Sequence, residues 1–192
     1  MVSHAPVSSY LAFPPLPVPE RSGHRRYISV ALSLESVSYT HLFIADLAAQ
    51  AGIPARDVLR ASKCLSADVN AAHDPTFADV TDKRNAARLG YGVSLMKYSG
   101  ARGKSGTSDA SAEFTGEVRR LLDDAGVIWQ QGELGKVDMG GGGTVAMYIA
   151  NLDVDVIDIG VPVLSMHAPF EVVSKLDVYM AYRAFLAFFE QK

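Results

Sequence analysis

The chain has 192 residues, of which 20% are charged, and a formal net charge of −3. This length suits one ordinary domain, and the charge balance argues against a nucleic-acid-binding protein, which needs a basic face. No apolar run approaches the ~20 residues that span a bilayer, and the N-terminus lacks a secretory pattern. The single cysteine, Cys64, cannot form an internal disulfide. We therefore expect a cytoplasmic protein with neither nucleic-acid nor membrane partners.

The first 42 residues differ in composition from the rest. They contain a proline-rich stretch, from which we expect disorder, although the run 27–34 can form a strand. Residues 37–42 resemble one reading frame of a transposase adapter used in sequencing libraries. We therefore divide the chain into 1–42, a disordered or non-native segment with a possible adapter junction at 37–42, and 43–192. A natural N-terminal extension is the alternative.

Hydrophobic periodicity predicts alternating helices and strands through the rest of the chain. The predicted helices are 43–51, 57–62, a helix capped by Ser108 and ended by Gly126, 144–152 and a largely buried 170–189. The predicted strands are 64–69, 93–98, 127–130, 154–159 and 161–164, with loops at 76–89 and 99–108. This alternation indicates an α/β fold with helices on both sides of a largely parallel or mixed sheet.

Four consecutive glycines, Gly140 to Gly143, precede the predicted helix at 144–152. Ordering a glycine costs roughly 0.5–1 kcal/mol more than ordering an alanine, so such a run needs a reason. Backbone N–H groups at the start of a helix can bind a negative or polar ligand. A tight turn that binds no ligand explains the run nearly as well.

Two residues at strand ends are candidate metal ligands. His167 follows the apolar strand 161–164, and strand ends are where ligands gather in open α/β sheets. Neutral imidazole is a common zinc ligand, although a lone histidine is more often structural. Asp68 ends the strand 64–69, where its carboxylate could equally cap the following turn.

Three longer motifs carry a family resemblance. They are Leu65 to Ala72, Gly132 to Asp138 with the glycines that follow, and Leu164 to Glu171, and the run Lys97 to Lys104 fits the bacterial branch. In this order they resemble the C-terminal part of the aminopeptidase I and aspartyl aminopeptidase family of two-zinc exopeptidases. The resemblance covers residues 43–192 and implies a three-layer helix-sheet-helix zinc-peptidase fold, present as the C-terminal half of the peptidase domain.

The resemblance also assigns roles to residues. It makes Asp68 and His167 ligands of different zinc ions in a two-zinc site. It implies substrate binding by Lys97, Gly141, Gly142, Gly143 and Thr144, the last four through backbone donors. His73 departs from the family pattern, and we treat it as incidental. Peptides are the implied substrates, without an indication of the preferred N-terminal residue.

Several catalytic parts of the family lie upstream of the matching region. They are the first zinc-binding histidine, the bridging aspartate, the general-base glutamate, a neighbouring glutamate ligand and an inserted oligomerisation domain. We therefore expect no catalytic base in this chain, although complete family members are homo-oligomeric enzymes. The leading interpretation is a zinc aminopeptidase, inactive as this chain alone. The alternative is a non-catalytic peptidase-like domain that binds or scaffolds.

Overall fold

A computed structural model describes residues 8–12, 29–33, 37–101, 106, 108–136 and 139–191. It contains the strands β1 (Ser8–Ala12), β2 (Ser29–Ser33), β3 (Lys63–Ser66), β4 (Asn70–Ala71), β5 (Val93–Met96), β6 (Gly100–Ala101), β7 (Trp129–Gln131), β8 (Gly141–Gly142), β9 (Asp155–Gly160), β10 (Pro162–Leu164) and β11 (Val172–Val173). The helices are α1 (Val37–Gln50), α2 (Ala55–Arg60), α3 (Ala112–Asp124), α4 (Ala146–Ala150) and α5 (Lys175–Phe189), with 3₁₀ turns at Pro75–Val80.

Six strands form the main sheet, in the order β2-β1-β3-β9-β5-β7. The pairs β3–β9 and β5–β7 are parallel, whereas β1–β2, β1–β3 and β5–β9 are antiparallel. The sheet is therefore mixed. Two small sheets flank it, one with the order β11-β10-β4 and one made of β6 and β8.

Alternating side chains of the central strands face two separate helical layers. Leu65 of β3 and Ile157 of β9 pack with α3 and α5, while Cys64 and Val156 pack with α1, α2 and α4. The helices thus cover both faces of the sheet, and the predicted three-layer α/β arrangement is confirmed. The apolar stripe of α3 that faces the sheet consists of Phe114, Val118 and Leu122, as its periodicity predicts.

A buried carboxylate joins α5 to the loop before β5. Asp177, in the first turn of α5, is fully buried and accepts hydrogen bonds from the backbone N–H groups of Gly90 (2.7 Å) and Gly92 (2.8 Å). Gly92 has a positive φ of 91°, and a Cβ there would lie 2.1 Å from the Ile128 carbonyl oxygen. Only glycine fits this crossing of the chain.

The structure describes two strands and the start of a helix within residues 1–42. Strands β1 and β2 lie in this segment, β1 pairs with the edge of β3, and α1 begins at Val37. The strand predicted at 27–34 agrees with β2. The interpretation of 1–42 as a disordered or non-native segment stays a prediction.

Three helix predictions need correction. Ser111, rather than Ser108, caps α3 by accepting a hydrogen bond from the N–H of Phe114 at 3.1 Å. Helix α4 spans only the five residues Ala146–Ala150, rather than 144–152. Helix α5 begins at Lys175 rather than at residue 170, and its outer face exposes Leu176, Val178, Tyr179, Tyr182 and Leu186, so it is not largely buried.

Candidate metal and substrate site

Asp68 lies in the short turn between β3 and β4, at the carboxyl end of β3. The turn passes very close to the end of β9, where a Cβ on Gly160 would lie 1.6 Å from the Asp68 carbonyl oxygen. Burial raises the pKa of the Asp68 carboxyl, while the Val69 N–H and the charge of His167 act in the opposite direction. A half-buried carboxylate that feels a nearby imidazole suits a metal ligand.

His167 lies in a tight turn directly after β10. Both Ser165 (φ 59°) and His167 (φ 67°) adopt the left-handed conformation, which non-glycine residues rarely adopt. The His167 N–H donates a 2.6 Å hydrogen bond to Oε1 of Glu171, and the Ala168 N–H donates to the Ser165 carbonyl at 2.9 Å. These bonds stabilise an unusual backbone conformation at His167, whose imidazole is exposed. Such conformations are typical of functional sites.

Strands β4 and β10 connect the two segments that carry the candidate ligands. These strands are parallel, with Asn70 opposite Pro162 and Ala71 opposite Val163. Asp68 precedes β4 and His167 follows β10, and the charge of His167 lowers the pKa of the Asp68 carboxyl against the larger, opposite effect of burial. The sequence predicted both residues at strand ends without predicting this pairing.

The donor set fits zinc in kind but not in number. A carboxylate oxygen and an imidazole nitrogen are both ordinary zinc ligands, and a zinc site normally takes three or four protein ligands. Within the described part of the chain, no group of three or more histidine, cysteine, aspartate or glutamate side chains could hold a metal ion. Asp68 and His167 alone are therefore fewer ligands than a zinc site takes.

Lys97 follows β5, and its ammonium group is already paired. It donates to Oδ1 of Asp109 at 2.5 Å and to the Ala110 carbonyl oxygen at 3.0 Å. Both side chains of the ion pair are about 40% exposed, 39% for Lys97 and 43% for Asp109. A substrate carboxylate or carbonyl would have to compete with Asp109 for this ammonium group.

The glycine run has a structural explanation in its close approach to the chain after β5. Gly141 and Gly142, which form β8, pair antiparallel with β6. Gly141 has a φ of 97°, and a Cβ there would lie 2.2 Å from the Gly100 carbonyl oxygen, while one on Gly143 would lie 2.8 Å from that of Gly106. These contacts explain the glycines at 141 and 143 without a bound ligand. Helix α4 has only five residues, so its N-terminus does not support the expectation of a ligand-binding helix start.

A buried hydrogen-bond chain connects this glycine run to β9. The Thr144 hydroxyl donates to Oδ2 of Asp158 at 2.7 Å and lies 3.0 Å from the Ser99 hydroxyl. All three side chains are buried, with exposed fractions of 6%, 2% and 2% for Thr144, Asp158 and Ser99. The side chain of Thr144 is therefore directed into the fold, and only its backbone is left to contact a substrate.

Asp158 is an unusual residue for the centre of an apolar strand. Burial raises the pKa of its carboxyl to about 6, despite the opposing effects of the nearby Ser66, Thr144 and Ser99 hydroxyls, and the charge of Asp68 raises it further. Its second oxygen, Oδ1, is buried and has no hydrogen-bond partner among the described residues, and the same holds for the Ser66 hydroxyl. Ser66 faces Asp158 across the β3–β9 pair.

Two residues in this region were not singled out as functional from the sequence. Asp158 was treated as part of an apolar run, although one aspartate between Ile157 and Ile159 is a visible signal. Glu171 was placed at the start of a helix, whereas it holds the His167 turn. His73 lies apart from these groups, with Nδ1 2.8 Å from the Thr81 hydroxyl. Arg102 to Lys104, Val137 and Asp138 of the sequence motifs lie outside the described residues.

The described residues thus combine a three-layer α/β fold with a carboxylate after β3 and an imidazole after β10. Comparison with known proteins gives the family. The chain belongs to the aminopeptidase I zinc metalloprotease family (M18), whose model matches residues 35–189. Zinc is thus the metal of the family.

Individual relatives agree with this membership. A probable M18 family aminopeptidase 1 from Thermotoga maritima is 51% identical over 135 residues, which are 70% of this chain and 30% of that protein. The crystal structure of a T. maritima M18 aminopeptidase matches with a TM-score of 0.79 and 39% identity, over 90% of this chain and 42% of that one. The S. cerevisiae mApe1 dodecamer, at 20% identity and a TM-score of 0.69 over 88% of this chain and 39% of that chain, shares the fold. The chain spans about 30% of the curated relative's length.

Proposed function

We propose that this chain is the C-terminal part of the catalytic unit of a zinc aminopeptidase that removes N-terminal residues from peptides. The observation that supports the proposal is that Asp68 follows β3 and His167 follows β10, in segments joined by the β4–β10 pairing, in a chain of a zinc metalloprotease family. The position of these two groups at the carboxyl ends of strands is where an α/β sheet binds its ligands.

Asp68 and His167 would each hold one ion of a two-zinc site. Zinc, when bound, polarises the substrate carbonyl and activates a water molecule. The chain's own contribution is orientation: the Gly160 crossing fixes the Asp68 turn, and Glu171 fixes the His167 turn. Oriented ligands are what a metal site requires of its protein.

The proposed substrate groups surround this edge of the sheet. The glycine run 140–143 would offer backbone N–H groups to the peptide, and Thr144 would take part through its backbone alone, because its hydroxyl is bound to Asp158. Lys97 would bind a polar substrate group in exchange for part of its pairing with Asp109.

We assign the role of general base to none of the four glutamates at 113, 117, 133 and 171. Glu117 is bound to Lys63, with oxygen–nitrogen distances of 2.5 and 2.7 Å, and Glu171 accepts the His167 N–H. Glu113 lies in the first turn of α3, and Glu133 precedes the glycine run. We therefore propose that this chain alone has no aminopeptidase activity, with zinc, cobalt or manganese added.

The proposal extends to partners and compartment. Peptides are the substrates, and the complete enzyme is a homo-oligomer that acts in the cytoplasm without nucleic acid or membrane. Among the described helices, none combines the length and the apolar character that crossing a membrane requires. The exposed apolar side chains of α5 are one surface that assembly could cover.

A chimaera tests the activity. The upstream part of the T. maritima relative is joined to residues 43–192 of this chain and assayed on amino-acid amides with zinc. We expect activity in the chimaera and none in this chain alone. His167→Ala and Asp68→Ala should each abolish most turnover, since each removes a ligand, whereas His73→Ala, the matched control, should not.

Two results would contradict the proposal. Full activity of the His167→Ala chimaera would overturn the metal assignment. A folded, zinc-loaded chimaera without activity on any amide or peptide would favour the binding or scaffold alternative.

A further inference from the structure

The hydrogen-bond chain from Ser99 through Thr144 to Asp158 has a fixed direction at neutral pH. A carboxylate can only accept hydrogen bonds, so the Thr144 hydroxyl donates its one hydrogen to Oδ2 of Asp158 at 2.7 Å. The Thr144 oxygen, 3.0 Å from the Ser99 oxygen, is then left as the acceptor of the Ser99 hydroxyl. Charge-assisted bonds of this kind are stronger than neutral ones.

The three residues belong to three different segments. Ser99 directly precedes β6, Thr144 directly follows the glycine run, and Asp158 lies in β9 at the centre of the sheet. The backbone pairing of β6 with β8 connects the first two segments to each other but not to the sheet. The segment of Ser99 continues β5, which pairs with β9, and the carboxylate of Asp158 adds a side-chain contact that connects Thr144, and through it Ser99, to β9.

Asp158 also lies beside the strand that carries the proposed metal ligand. Its Cα pairs with that of Ser66 in the parallel β3–β9 ladder, two residues before Asp68. A rigid connection at this point holds the glycine run at a constant distance from the Asp68 turn. Substrate-positioning groups require such constancy, because misplacement by about 1 Å can cost ~100-fold in rate.

We propose that Asp158 is a positioning residue, which fixes the glycine run 140–143 relative to the metal-ligand turn through the hydroxyls of Thr144 and Ser99. The inference rests on the proposed function in one respect, namely that the glycine run is the part that binds substrate. In this role Asp158 acts through Thr144 and Ser99, and not by contact with metal or substrate. Asp158 affects binding through Thr144, which fixes the orientation of the backbone N–H groups of the preceding glycine run 140–143.

Amide hydrogen exchange of the 192-residue chain tests this without any catalytic assay. Thr144→Val removes the hydroxyl at nearly constant volume, while Thr144→Ser keeps it. We expect Thr144→Val to increase exchange of the amides at 140–146 about tenfold more than it increases exchange in β3 and β9, and Thr144→Ser to restore protection. Asp158→Ala should act like Thr144→Val, and Asp158→Asn, which keeps an acceptor oxygen, should act like Thr144→Ser.

The matched control is Ser94→Ala, which removes a hydroxyl that accepts a 2.7 Å hydrogen bond from Asn70 in the same buried region but outside the Ser99–Thr144–Asp158 chain. It should leave exchange at 140–146 unchanged. Equal exchange at 140–146 in wild type and Thr144→Val would overturn the inference, as would a loss of protection spread evenly over the sheet. These outcomes can be told apart from a failure of the proposed function. If the chimaera is active but Thr144→Val does not change exchange at 140–146, only the role of Asp158 is refuted. If the chimaera is inactive, the exchange result is still valid.

Discussion

Replacing Asp158 by asparagine removes a buried ionisable group but keeps an oxygen that can accept the Thr144 hydrogen bond. The amide nitrogen would then take the place of Oδ1, which has no partner among the described residues, next to the Ser66 hydroxyl. The variant should therefore fold. Its stability should differ from wild type mainly in how it depends on pH.

The sign and size of this difference follow from the pKa of the carboxyl. Burial raises the pKa of Asp158 to about 6 from its ordinary value of 3.8. Between these two values the folded chain holds a proton that the unfolded chain has released, so the free energy of unfolding falls as pH rises from about 4 to about 6. At 1.36 kcal/mol per pKa unit, the total contribution is about 3 kcal/mol.

Two other acidic groups face Asp158 and belong in the comparison. Asp68 raises the pKa of Asp158 by charge repulsion, and Asp158 contributes, after burial, to raising the pKa of the Cys64 thiol. Both neighbours remain in the Asp158→Asn variant. Subtracting the stability of the variant from that of wild type at each pH therefore isolates Asp158 to a first approximation.

Urea unfolding followed by the fluorescence of Trp129, the single tryptophan, measures the effect. Wild type and Asp158→Asn are compared at half-unit steps from pH 4 to pH 7.5. We expect the difference in unfolding free energy, wild type minus variant, to decrease by about 3 kcal/mol across pH 4–6 and to be flat above. If the unfolding free energies of the two proteins changed with pH in parallel, the conclusion that ionisation of Asp158 destabilises the folded chain would be refuted.

Three further changes test the packing that positions the site. Asp177→Ala leaves two backbone N–H groups without their acceptor and should lower the free energy of unfolding by roughly 2–4 kcal/mol in urea; a loss below 0.5 kcal/mol would contradict it. Gly160→Ala collides with the Asp68 carbonyl oxygen and should cost about 1–3 kcal/mol or more, while Gly142→Ala, which meets open space, serves as the control. Removal of residues 1–42 uncovers an edge of the main sheet and should cause aggregation on sedimentation; a monomer with a sharp melt would count against this.

The layering of the fold could be predicted from the sequence because it depends on local periodicity. Apolar runs such as 154–159 and the stripe of α3 indicate which segments are buried strands and which are one-sided helices. The positions of Asp68 and His167 at strand ends were predictable for the same reason. The β4–β10 pairing that joins their segments is a long-range contact, which periodicity does not report.

Predictions failed where distant contacts decide the outcome. The apolar residues Phe170, Val172 and Val173 extend the helical pattern of α5, so the start of that helix was placed too early, and Glu171 was read as part of it. The outer face of α5 carries apolar residues that no element in the described part of the chain covers, and a one-dimensional pattern cannot show this. Asp158 becomes meaningful only when Thr144 and Ser66 are seen beside it.

Zinc content measures the central claim most directly. After dialysis against trace zinc and gel filtration, the metal bound per chain is determined for this 192-residue chain, for the chimaera, and for its Asp68→Ala and His167→Ala variants. Two ligands that serve different ions cannot retain zinc alone, so we expect no zinc above background in this chain, two ions in the chimaera, and a loss of about one ion in each variant. Tight, stoichiometric zinc in this chain, lost in both Asp68→Ala and His167→Ala, would contradict the account.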